Sequence, residues 1–280
     1  MDRILFGDNQ FFAVNHLSDE KARAQAMQFR SNDAIIDILD FVYDLGIRTF
    51  MCTTHDRISD ICDHIRAQPD RYVGFKIYPC MPYAHKYANA VTEYGPIGAV
   101  KRFLPGNIVS TSAKGGVALA TRDYRAMMEL LIDAEMKMFD GISTPVVFLQ
   151  NVVTDLLLGL GLYDYFSAFA EYVKDRYNAE AGFITMNMPQ VLVALKSCGV
   201  ENPIVCASIN KIGFRMSGGR ELYEKTLAEH SFRPVAMQVL AAGAVPPAEA
   251  LKYVCSQQKI QSILFGASTK SSNMRHHCSR

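Results

Sequence analysis

The sequence predicts an α/β protein, a single (β/α)8 barrel, on three observations. Eight short apolar stretches alternate with longer segments of helical periodicity, the rhythm of βαβ units around a parallel sheet. The 280 residues are 49% hydrophobic, enough for one large core, and barrels of about 250 residues form one domain. An open doubly wound sheet would usually follow its first strand with a Gly-x-Gly-x-x-Gly turn; here the turn reads Gly7-Asp8-Asn9-Gln10, without a glycine cluster.

The elements follow in order. Ile4–Gly7 opens as strand one, and a polar turn leads to a charged helix over 19–29. A second helix, 33–45, carries Ile35, Ile36, Leu39, Val42 and Tyr43 at helical spacing and ends at Gly46. Strand two is Thr49–Thr53, followed by a helix over 58–67. Strand three is placed at 73–78, closed by Pro79 and Pro82. A long excursion over 80–121 follows, a candidate lid or homodimer contact. Helix 123–139 precedes strand four, Val146–Leu149. Then come helix 165–177, strand 182–186, helix 190–198, strand 204–209, helix Arg220–Glu229, strand 235–240, helix 248–256 and strand 263–265. Too little chain remains for a full eighth helix. No linker divides residues 1–280, which read as one barrel domain.

Composition excludes several classes. Net charge is +1, without a basic stripe or acidic tail, so neither nucleic acid nor a membrane surface is an expected partner. No apolar run approaches the ~20 residues that span a bilayer. The N-terminus lacks the zones of a signal peptide. Seven widely spaced cysteines without a Cys-x-x-Cys pair read as reduced thiols. A cytoplasmic protein is the expectation.

In this fold the residues just past each strand line the mouth, where chemistry is found. Asn9, Asn151, Asn187 and Asn210 fall at four strand ends, joined by Gln10, Gln150 and Gln238. Carboxamides donate and accept hydrogen bonds without charge, which suits a polyhydroxylated, sugar-like ligand; asparagine also serves simply as a cap or turn residue. Tyr78 joins this binding set. Lys76, inside the run Phe75-Lys76-Ile77-Tyr78, is either an inward base or imine-forming amine of depressed pKa, or an outward lysine snorkelling between helices. Lys211, after strand six, is a Schiff-base candidate or a solvated loop residue. His55 and Asp56 form an acid/base candidate pair, and Asp8 is the other mouth carboxylate. The small-residue loops after strands seven and eight, with Gly243, Gly266, Ser268, Thr269 and Lys270, resemble an anion-binding cradle for phosphate. No histidine or cysteine spacing fits a metal site, and none is expected.

Along most of its length the chain resembles the aldo-keto reductases. The matching stretches are Leu45-Gly46-Ile47-Arg48-Thr49-Phe50 before strand two, Val146-Val147-Phe148-Leu149-Gln150-Asn151 at strand four, and Val239-Leu240-Ala241-Ala242-Gly243 and Ile263-Leu264-Phe265-Gly266-Ala267-Ser268 at strands seven and eight. The resemblance implies the barrel, and a site at strands seven and eight for the phosphate end of NADP. It also implies a catalytic Asp, Tyr, Lys and His, and here this sequence departs. The Asp falls on Met51, the Tyr near His55 or Asp56, and the His on Gln150 or Asn151. Only the Lys is matched, by Lys76. The tyrosine that stacks on nicotinamide falls near Lys211. Tyr78 and Tyr83 are candidates to replace the missing phenol.

The resulting expectation is an aldo-keto reductase-like barrel enzyme acting on a sugar-like, phosphorylated or nucleotide-linked carbonyl or hydroxyl compound. Lysine-assisted acid/base chemistry of an isomerase, epimerase or lyase leads, with no cofactor. An NADP-dependent oxidoreductase with a rearranged tetrad is the alternative, and a non-catalytic sugar- or partner-binding barrel is the third.

Overall fold

The computed structural model describes residues 1–12, 19–83 and 124–269. Eight parallel strands close in sequence order into a barrel. They are β1 Ile4–Gly7, β2 Thr49–Thr53, β3 Lys76–Met81, β4 Val146–Leu149, β5 Glu180–Thr185, β6 Ile204–Ser208, β7 Arg233–Met237 and β8 Ser262–Phe265. The described helices are α1 Asp19–Gln28, α2 Asn32–Asp44, α3 Asp56–Ala67, α4 Tyr124–Met136, α5 Asn151–Leu160, α6 Asp164–Tyr177, α7 Met188–Ser197, α8 Arg220–Glu229 and α9 Pro247–Ser256. The ring closes by direct β8–β1 pairing, Ile4 against Ile263 through Phe6 against Phe265. Residues 84–121 of the expected excursion, Lys270 and the rest of the C-terminal stretch lie outside the described residues.

The period of two along each strand divides the core. Leu5, Met51, Tyr78, Phe148, Ile184 and Cys206 belong to one buried cluster that fills the barrel. Their neighbours Phe6, Phe50, Ile77, Val147, Phe183 and Val205 belong to a second, between sheet and helices. On α2, Ile35, Ile38, Leu39, Val42 and Tyr43 are buried, and the Ser31 side chain caps its N-terminus by accepting from the Ala34 N–H. Gly46 follows at φ +90°, a conformation open to glycine and strained for other residues.

Strand three lies three residues beyond its expected position. Pro79 was expected to close it, yet stands within it opposite Cys52. The hydrogen-bond parity explains this. The Lys76 N–H donates to Arg48 on the β2 side, and the Ile77 N–H to Ser143 on the β4 side. Position 79 therefore turns its nitrogen toward β4. The β3–β4 ladder begins only at Cys80, so the absent donor interrupts no ladder bond. Helix α5 was not expected at all. Its sequence, NVVTDLLLGL, is mostly apolar, with Asp155 as its one charge.

Candidate active site

The residues after β1, β2 and β3 converge at the mouth. Asp8, at the end of β1, is buried, and its Oδ2 accepts from both the Thr53 N–H and the Thr53 hydroxyl, each at 2.7 Å. Burial raises the Asp8 pKa above the ordinary carboxylate value, against the lowering effect of the Thr53 hydrogen bonds. Beside it stand the Cys52 and Cys80 thiols, both pushed well up by burial first and by the Asp8 charge second. Neither is a nucleophile at neutral pH.

His55 caps α3, its Nδ1 accepting the Arg57 N–H at 3.2 Å. That leaves the proton of the neutral ring on Nε2. The ring stacks on Phe12 with centroids 4.0 Å apart. Tyr83 follows β3, its ring 5.9 Å from that of His55. Burial raises its phenol pKa, and the charges of Asp8 and Asp56 raise it further, so the phenol stays protonated. Asp56 itself begins α3 and is exposed.

The rim is pinned by acids from the outer helices. Glu135 of α4 is buried; it accepts from the Thr54 hydroxyl at 2.6 Å and from the Tyr83 N–H at 3.2 Å, so the loops after β2 and β3 share one anchor. Asp155 of α5 does the same at β5, accepting from the Thr185 hydroxyl and the Met186 N–H. Sequence reading missed both. The available signal was an acid set among buried apolar positions: Glu135 lies between Ile132 and Met136, and Asp155 is the sole charge in its helix.

The expected carboxamides take different roles. Gln150 is buried and continues the inward parity of Val146 and Phe148. Gln10 is buried, donating to the Gly7 carbonyl at 2.6 Å. Gln238, at φ +54°, accepts from the Ser208 hydroxyl at 2.6 Å. Asn210, by contrast, is buried in its own loop, bonding both the N–H and the carbonyl of Phe214 at 2.8 Å, which commits it to structure. Asn9 is exposed, Asn151 begins α5, and Asn187 precedes α7 without capping it through its side chain.

Three expected residues are placed elsewhere. Lys76 is the first residue of β3, at the barrel end opposite the mouth, 3.1 Å from Asp2. The three-residue displacement of the strand put it there, so it is no inward base at the mouth. Tyr78 points into the barrel, but its phenol lies beside Thr49 and Asp2 at that same lower end. Lys211 is exposed and paired with Glu249 at 2.6 Å.

The expected phosphate cradle is only partly open. Ala241, Ala242 and Gly243 take successive positive φ angles after β7. At Gly266, however, an added Cβ would lie 2.2 Å from the Gln10 Oε1, so this chain's own amide occupies that face. The Ser268 carbonyl accepts from Gln28, and Thr269 is exposed. With the Gln10 amide against Gly266 and Lys76 at the opposite end of the barrel, the described residues do not fit NADP in the manner the resemblance implies. Among the described residues no cluster of three or more metal-ligating side chains occurs.

No protein-family model and no curated protein matches the chain. Solved structures do. One from Pseudomonas aeruginosa, carrying an aldo-keto reductase description, aligns at TM-score 0.59 and 13% identity over 99% of this chain and 88% of that one. An aldo/keto reductase from Brucella melitensis aligns at TM-score 0.54 and 10% identity over 99% and 87%. A glycerol dehydrogenase from Gluconobacter oxydans aligns at TM-score 0.51 and 8% identity over 98% and 85%. The fold is therefore an aldo-keto reductase-like (β/α)8 barrel. Among the described residues no helix is long and apolar enough to cross a membrane.

Proposed function

We propose that the protein is an enzyme that transfers protons on a small polyhydroxylated carbonyl compound at the mouth beside β1, β2 and β3. One observation carries this reading: the Asp8 carboxyl is buried at a strand end, with its pKa raised toward the range where a carboxylate is a useful base. Asp8 removes a proton from the carbon beside the carbonyl, and the neutral Tyr83 phenol or the His55 Nε2–H donates to the oxygen. Gln150 and Gln238 hold hydroxyls. A lysine-dependent route loses support, since Lys76 lies at the far end and Lys211 is exposed and ion-paired.

Incubating the protein with a panel of hydroxy-aldehydes, hydroxy-ketones and their phosphate esters in deuterium oxide tests this. Deuterium should enter beside the carbonyl, and Asp8→Asn should lose that exchange while melting as a folded protein. Exchange undiminished in Asp8→Asn would refute the assignment.

A second reading, an NADP-dependent oxidoreductase, is favoured by the reductase and dehydrogenase descriptions of the structural neighbours. Saturable NADPH binding, with consumption of NADPH by a carbonyl substrate and no deuterium exchange, would decide for it.

A further inference from the structure

The end of the barrel opposite the mouth holds a cavity of about 350 Å³. Its wall carries Arg3 ahead of β1, Arg48 ahead of β2 and Lys76 at the start of β3, against one carboxylate, Asp2. Gly46 and Gly74 complete it at φ +90° and +72°, and a Cβ added at either would meet nothing within 4 Å. No side chain fills the space there.

Arg48 is the informative residue. Its guanidinium lies 3.7 Å above the Tyr43 ring, and its Nη1 donates to the Tyr43 carbonyl at 2.6 Å. Stacking and a backbone acceptor thus fix the group without neutralising it. Among the described residues no carboxylate forms an ion pair with Arg48 or Arg3, and Nε and Nη2 of Arg48 have no protein acceptor. Lys76 is paired with Asp2, which the Thr49 hydroxyl also contacts at 2.5 Å. Burial opposes the ionisation of Asp2, but the Thr49 and Lys76 contacts prevail and its pKa is lowered, so the carboxylate stays charged. A pre-oriented guanidinium lining an open space, with Arg3 beside it and Lys76 held by Asp2, is the chemistry that receives a tetrahedral dianion.

We propose that this lower cavity binds phosphate or a small phosphate monoester, independently of the chemistry at the mouth. Calorimetric titration of the full chain with inorganic phosphate at low ionic strength tests it, with malonate as a dicarboxylate comparison. One saturable site is expected, weakened about tenfold or more in Arg48→Ala, as for loss of a charged hydrogen-bonding edge. Because Arg48→Ala also removes the Tyr43 contact, Arg48→Lys and the exposed Arg3→Ala are read alongside it; both should weaken binding severalfold while melting without ligand as the parent does. Lys211→Ala, on the opposite face, should leave binding unchanged. Absence of saturable binding, full affinity in both Arg48→Lys and Arg3→Ala, or a loss confined to Lys211→Ala would overturn the site. Malonate binding as tightly as phosphate would overturn the ligand assignment.

Discussion

Gly182 gives the sharpest test of how the barrel interior is packed. It sits on β5 directly opposite Phe148 of β4. A Cβ at this position would lie 2.3, 2.4 and 2.9 Å from three ring atoms of Phe148. Carbon atoms prefer about 3.5–4.0 Å, so the ring would have to retreat by more than about 1 Å. Rotation about its own axis does not clear the contact, because the methyl group meets an edge of three atoms. Retreat is blocked too: Phe148 is fully buried, and Tyr78 lies beyond it with ring centroids 6.2 Å apart. Overpacking of this kind costs about 1–3 kcal/mol. A fully buried, blocked ring puts the cost in the upper half of that range, about 2–3 kcal/mol; the reduced entropy of the unfolded chain in Gly→Ala returns up to about 1 kcal/mol, leaving a net loss of about 1–2 kcal/mol. At about 2–4 °C per kcal/mol for a chain of this size, Gly182→Ala should lower the melting temperature by about 2–8 °C, read by circular dichroism. Adding Gly182→Ala to a Phe148→Leu background should cost much less than adding it to the parent. An unchanged or raised melting temperature in the single variant would refute the packing described for this layer.

Other outcomes follow from the same geometry. The native state retains the Asp8 proton at pH values where the unfolded chain has released it, so its contribution to stability falls as pH rises from the ordinary carboxylate value of 3.8 through the raised native one. Asp8→Asn should therefore gain stability relative to the parent as pH rises above 3.8 in urea titrations; an unchanging difference would contradict the raised pKa. Asn210→Ala strands the N–H and the carbonyl of Phe214 inside their loop, and should cost about 2–4 kcal/mol in the same assay; a cost below about 0.5 kcal/mol would mean that water takes over both bonds. Cys255 is exposed while Cys52, Cys62, Cys80 and Cys206 are buried with raised pKa values, that of Cys62 up to about 12. Cys255→Ser should remove one equivalent from the rapid phase of reaction with a disulfide reagent, and loss of no equivalent would contradict the exposure.

The barrel itself was legible because periodicity records which side of an element is buried. Ile4–Gly7, Thr49–Thr53, Val146–Leu149 and Arg220–Glu229 fall where the pattern places them. What escaped was set by partners distant in sequence. Pro79 reads locally as a strand breaker; only the absence of a β4 partner at its level lets it stay. That one error moved Lys76 from the mouth to the floor. The anchors Glu135 and Asp155 escaped because an acid on an apolar face gains meaning only from the loop that it meets. Among the amides, the chain alone could not separate Asn210, bonded to a residue four positions on, from Gln150, turned inward by the parity of β4.

The sealed barrel interior has a consequence for how its two ends relate. Tyr78, Phe148 and the side chains stacked with them leave no passage, so nothing diffuses from the lower cavity to the mouth through the core. The ends share only β1, β2 and β3, and a six-residue strand such as β3 holds them about 20 Å apart. The two ends therefore exchange no ligand through the core, and each is reached from solvent on its own side.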